Sequence, residues 1–167
     1  MAEPAAVAIV TIGVYGWTEP EFLAALAAAE VDTLVDVRAR RGVRGAAYAF
    51  ANSQRLQAGL AAAGIRYLHR GDLAPSRALR AQQAVADKEQ RTAKRQRHAL
   101  SPEFVVGYWQ ERLAALDSRR FLAELGPDAR VVALFCVERE PAACHRSLLA
   151  QRLADELGVA VQHLTPP

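Results

Sequence analysis

The densest run of chemically capable side chains is Cys136-Val137-Glu138-Arg139-Glu140-Pro141-Ala142-Ala143-Cys144-His145-Arg146. A thiol becomes a nucleophile when ionised, and the thiolate is favoured at a helix N-terminus, where unpaired backbone N–H groups and the macrodipole are positive. Cys144 stands where the pattern enters a helix, so it is the candidate nucleophile, with Glu138 or His145 as general acid or base. Arg146 adds a fork of donors suited to phosphate or carboxylate oxygens. The competing reading is packing: small cysteines beside strands and helices mostly fill space, and His145 can equally be a hydrogen-bonded structural histidine.

A second cluster, Asp36-Val37-Arg38-Ala39-Arg40-Arg41-Gly42-Val43-Arg44-Gly45, holds four arginines within seven residues. Such a loop can wrap an anion, with Asp36 orienting Arg38. It can also be a solvated loop in which Arg38 pairs with Asp36 or Glu138. Tyr48 and Phe50 offer rings that stack on a base or anchor the loop to the core. The stretch Arg77 to His98 carries Lys88, Arg91, Lys94, Arg95 and Arg97 among good helix formers. It reads as an exposed helix or a mobile lid within a basic insertion over 70–100, with Asp87 and Arg91 as an i,i+4 pair.

Two familiar chemistries fit the spacing poorly. In a loop that cradles phosphate around a cysteine, an arginine should follow; here Glu138 and Glu140 come next, and the sixth residue after Cys136 is Ala142. Cys136, Cys144, His145 and His163 have the right chemistry for zinc, but the paired ligands two to four residues apart that mark most structural sites are missing. No metal and no cofactor are therefore expected. A glycine-rich nucleotide motif is absent as well, since Thr11-Ile12-Gly13-Val14-Tyr15-Gly16 has neither the dinucleotide nor the Walker spacing.

These residues have to be positioned by something, and β-branched apolar runs supply it. Val7 to Ile12, Thr33 to Val37, Ile65 to His69, Val131 to Cys136 and Val159 to His163 read as strands. Helical patterns separate them: a capping box at Thr18 and Glu21, Leu56 and Leu60 before Gly64, and Leu149, Leu153 and Leu157 before Gly158. A longer helix opens at Ser101-Pro102, points Val105, Trp109, Leu113 and Leu116 at the core, and stops at Gly126-Pro127. The expected fold is α/β: an open, mainly parallel five-stranded sheet flanked by helices, three-layered and Rossmann-like, forming one domain over 1–167. Ligands in such sheets bind beyond the carboxyl ends of the strands. Those ends carry Gly13, Asp36 with Arg38, His69, Cys136 with Glu138, and His163.

Composition narrows the class further. With 51% hydrophobic and 23% charged residues, the chain can build a core and cover it, which excludes disorder. A net charge of +3 leans toward anionic partners, either a small molecule or nucleic acid. Met1-Ala2-Glu3-Pro4 lacks the basic start of a signal peptide, and no run nears the roughly 18 apolar residues of a membrane span. Two cysteines are too few for a disulfide scaffold, so a cytoplasmic location without membrane contact is expected.

Taken together, Thr11-Ile12-Gly13, Leu34-Val35-Asp36-Val37-Arg38, Gly64-Ile65-x-Tyr67-x-His69, Leu134-Phe135-Cys136-x-Glu138-x-x-Pro141-x-x-Cys144-His145-Arg146 and His163 resemble the domain-of-unknown-function family 488. The resemblance runs from about Val7 to Leu164. It implies a compact α/β domain whose signature residues meet at one edge of the sheet, and it implies no established reaction. The family's proline and serine after the Asp-x-Arg are replaced here by Arg41 and Val43, while Arg44 remains. Its usual Leu-Gly-Gly becomes Leu73-Ala74-Pro75.

The resulting expectation is an anion site at the sheet edge, in an enzyme acting on a nucleotide, phosphoester or nucleic-acid end. Gly13, Asp36, Arg38, Arg44, His69, Cys136 and Arg146 would bind, and Glu138, Cys144 and His145 would act. The alternative is a non-catalytic module for nucleic acid or protein whose signature residues form an internal network.

Overall fold

The computed structural model describes residues 6–167; the Met1–Ala5 stretch read above for a leader lies outside the described residues. Five parallel strands, β1 (Ala8–Ile12), β2 (Thr33–Asp36), β3 (Arg66–His69), β4 (Val131–Phe135) and β5 (Val161–Leu164), form one sheet in the order β3-β2-β4-β1-β5. The α/β class and the open parallel sheet are as the alternating pattern predicts. The last strand begins two residues later than expected, at Val161.

Successive side chains on a strand face opposite ways, so each central strand feeds two cores. Ile9, Val35, Val132 and Leu134 point to one, with Phe121 and Leu149. Val10, Ile12, Leu34 and Phe135 point to the other, with Phe22, Leu26, Leu56 and Leu60. The second layer is α1 (Glu19–Ala28), opened by the Thr18 and Glu21 capping box, and α2 (Ser53–Ala62). The first comprises α3 (Arg77–Glu89), α4 (Pro102–Tyr108), α5 (Ser118–Leu125) and α6 (His145–Leu157), the last closed by Gly158 in the left-handed region at φ 68°. Among the described residues no helix is long and apolar enough to cross a membrane.

The predicted stripe on the helix after Ser101 is corrected. Val105 and Trp109 are 37% and 48% exposed, whereas Phe104 and Tyr108 are buried. A π-helical turn over Trp109–Leu113 adds a residue, so the buried positions run Phe104, Tyr108, Leu113, with a final step of five. Leu113 thus stays in the core although Trp109 does not. The helix also stops well before Gly126: Asp117 caps a separate α5, accepting from the Arg120 N–H at 3.0 Å. Tyr108 donates its hydroxyl to the Leu73 carbonyl at 2.6 Å in the interior. Tyr108→Phe leaves that carbonyl unpaired and should cost about 1 kcal/mol in urea unfolding. Trp109→Phe, at the exposed position, is expected to stay within about 0.5 kcal/mol of the parent.

The strand order sets where the chain ends meet. β2 is left in one direction, toward the β3 edge, and β4 in the other, toward β5, while β2 and β4 are neighbours. The chain leaving β2 enters α2 on one face and the chain leaving β4 enters α6 on the other, so their carboxyl ends flank the switch point at which open α/β sheets take ligands.

Candidate functional site

A cavity of about 450 Å³ opens at that gap, lined from β2 by the Arg38–Arg44 loop and from β4 by Cys136, Val137 and Glu138. Cys144 and His145 at the start of α6 complete its buried floor, and Arg80, Gln83 and Asp87 from α3 with Lys94, Arg95 and Arg97 form a wall. The volume lies within the roughly 300–1,000 Å³ of small-molecule sites.

Each sequence-selected residue has a definite place. Asp36 and Arg38 form a buried bidentate pair: Arg38 Nε donates to Oδ1 at 2.9 Å and Nη2 to Oδ2 at 2.9 Å. Arg38 Nη1 donates to the Ala51 carbonyl at 2.9 Å, its guanidinium lies 4.7 Å from the Phe135 ring centre, and Tyr67 donates to Asp36 Oδ2 at 2.6 Å. Arg38 thus borders the cavity as a neutralised strut. His69 Nε2 is 2.9 Å from the Arg38 carbonyl, outside the cavity lining.

Arg146 is buried away from the cavity, donating from Nη1 to the Glu138 carbonyl at 2.7 Å and from Nη2 to the Arg139 carbonyl at 3.3 Å. Gly13 closely approaches the same Glu138 carbonyl, so that a Cβ there would overlap the oxygen and lie 3.3 Å from Arg146 Nη1. Val14 and Tyr15 donate their N–H groups to the Val137 carbonyl at 2.9 and 3.1 Å. These contacts fix the turn after β4, and with it Glu138. His163 accepts or donates at Nδ1 to Thr11 Oγ1 at 2.7 Å, two strands from the gap.

Cys136, Cys144 and His145 converge on the floor. His145 Nε2 lies 2.9 Å from the Val37 carbonyl, which can only accept, so that nitrogen carries a proton and Nδ1 turns toward the sulfurs. Nδ1 is 3.8 Å from Cys144 Sγ and 3.9 Å from Cys136 Sγ. Burial pushes the Cys144 thiol up, but the hydrogen bond from Cys136 and the positive His145 and Arg146 outweigh it and hold it well below the ordinary thiol range. Cys136, which donates that hydrogen bond and is buried, is held well above it. Burial raises the Glu138 carboxyl, reinforced by Cys144 and opposed by Lys94 and Arg97. The trio thus combines a favoured thiolate with an imidazole, and the same three atoms form a soft donor set for a metal.

The basic segment is bound into the site more firmly than its composition suggests. Arg97 donates to Asp87 Oδ2 at 2.8 Å, to Glu138 Oε1 at 3.1 Å and to the Ala143 carbonyl at 3.0 Å. Asp87 therefore pairs with Arg97, correcting the expected pairing with Arg91, which ends the helix turn at φ 53°. Lys94 Nζ is 3.6 Å from Glu138 Oε1. Arg95 lies 4.8 Å from the Tyr15 ring centre and 5.3 Å from that of Tyr48, and donates to the Arg44 carbonyl at 3.1 Å. Phe50 is a core residue packed on Phe22. Arg80 and Tyr15 were not singled out from sequence, because nothing in local spacing ties α3 or the β1 turn to the Arg40–Arg44 loop.

A family model for Domain of unknown function DUF488 matches residues 19–153. No curated protein matches the chain, and no solved structure does.

Proposed function

Because the chain belongs to the DUF488 family, a domain of unknown function, its role has to be argued from the cavity, and we propose that the cavity binds an anionic ligand, a nucleotide or the phosphate of a phosphoester or nucleic-acid end. The observation that carries this reading is a surplus of cations. Arg40, Arg44, Arg80 and Arg95 line the cavity, and among the described residues no carboxylate forms an ion pair with any of them. All four are exposed to solvent, and guanidinium groups gathered on a concave surface are suited to bidentate contact with phosphate oxygens. Glu138 and the Cys136, Cys144 and His145 floor lie where the bound group would react, which is why an enzyme is the favoured form of the proposal.

Calorimetric titration with inorganic phosphate and adenosine monophosphate at low salt tests it. Saturable binding is expected, and Arg44→Ala or Arg80→Ala should each weaken it about tenfold, the loss of one charge-assisted contact. Failure of the parent protein to bind either anion would end the reading. A single-stranded oligonucleotide that binds with a steep salt slope while the mononucleotide does not would favour the non-catalytic nucleic-acid module instead.

A further inference from the structure

The sequence argues against a metal because Cys136 and Cys144 are not spaced as a knuckle, yet the fold supplies what spacing does not. One cysteine follows the end of β4, the other caps α6, and His145 is the first residue of that helix. We infer that Cys136 Sγ, Cys144 Sγ and His145 Nδ1 bind a zinc ion whose fourth position faces the anion cavity.

Several independent observations carry this. The three donor atoms lie within 4.8 Å of one another, with both sulfur-to-nitrogen separations measured above at 3.8 and 3.9 Å. A tetrahedral zinc ion with bonds of about 2.3 Å to sulfur and 2.0–2.1 Å to nitrogen wants its donors about 3.6–3.8 Å apart; the sulfur–nitrogen pairs already meet this to within tenths of an ångström, and the two sulfurs, within 4.8 Å, would close by up to about 1 Å. The histidine is set for ligation: its Nε2–H is engaged by the Val37 carbonyl, the outer partner that metal-binding histidines characteristically have, and Nδ1, whose proton the ion displaces, faces the sulfurs. Two thiolates with one imidazole form a soft donor set that selects zinc over magnesium or calcium. All three residues are buried yet line the cavity, so three protein ligands leave one position open, the arrangement of reactive rather than purely structural zinc sites.

A dication at the floor also resolves a conflict in the site. Glu138 lies in the cavity lining, where its carboxylate would oppose an incoming anion; Lys94 and Arg97 hold it on one side, and a metal beside Cys144 turns the floor itself attractive. When bound, the metal would supply Lewis-acid polarisation of a ligand oxygen.

The test uses full-length protein without a histidine tag, purified under reducing conditions without chelators. Elemental analysis should find one zinc per chain. Replacement by Co²⁺ should give the intense visible bands of a tetrahedral ion and a thiolate-to-cobalt charge-transfer band. Cys136→Ser and Cys144→Ser, checked for folding by circular dichroism, should weaken zinc binding by more than about a hundredfold, beyond the 10–100-fold cost of losing an outer partner. Parent protein that takes up no Zn²⁺ or Co²⁺ at micromolar concentrations, or cobalt bound without a thiolate band, would overturn the assignment. So would metal retained unchanged in both serine variants. Arg44→Ala separates this inference from anion binding: it should lose phosphate affinity and keep the cobalt spectrum.

Discussion

Asp36→Ala is expected to destabilise the fold by about 3–5 kcal/mol, the cost of stranding a buried cation. Asp36 is fully buried at the end of β2 and accepts from Arg38 Nε, Arg38 Nη2, the Arg38 backbone N–H and Tyr67. Its removal leaves Arg38, itself only 2% exposed, with the Ala51 carbonyl and the face of Phe135 as remaining partners. Urea unfolding should show a large fall in the midpoint. A double variant, Asp36→Leu with Arg38→Met, removes both charges and should recover much of the loss, because the pair's attraction roughly offsets its desolvation. Recovery would show that the damage comes from the unpaired guanidinium. If Asp36→Ala unfolds at nearly the parent midpoint, the pair is not the buried strut described.

Gly13→Ala should cost about 3 kcal/mol, the upper range for forcing an atom into a filled interior. The obstacle is backbone, the Glu138 carbonyl, which Arg146 Nη1 holds at 2.7 Å while itself lying 3.3 Å from the new Cβ, so no change of rotamer relieves the overlap. Moving that carbonyl also moves Glu138 in the cavity, so phosphate affinity should fall along with stability. Gly59→Ala provides the control. In mid-α2 the nearest atom to a new Cβ is 3.8 Å away, and the substitution should gain about 0.5–1 kcal/mol from helix propensity. A Gly13→Ala protein as stable as the parent would contradict the close approach of the two turns.

The layers of the fold were legible because β1, β2 and β4 are short runs rich in β-branched residues and the helices carry caps or stops, as at Thr18 and Gly158. These are local signals. The order β3-β2-β4-β1-β5 was not legible, since no spacing along the chain states which strands pair. The helix after Ser101 misled for a definite reason: a period of 3.6 assumes regular turns, and the π-helical turn at Trp109–Leu113 shifts the buried face by one position.

At the site, Cys136, Glu138, Cys144, His145, Arg38 and Arg44 all reach the cavity from the two clusters noted in the sequence. Gly13, His69 and Arg146 act one step back, shaping the turns that hold them. That division depends on side-chain direction at the sheet edge, which residue type alone does not carry. Asp87 shows the limit most clearly, passing over the i,i+4 neighbour Arg91 for Arg97, a partner beyond the end of its helix.

The wall built from residues 90–99 contains no buried apolar side chain and is tied down by Arg95 and Arg97 through polar and cation–π contacts. Swinging it outward therefore breaks electrostatic ties without disturbing either core, so the free energy of opening is set separately from that of global unfolding. The hold on this segment thus answers to charge and ionic strength, whereas the sheet answers to apolar burial.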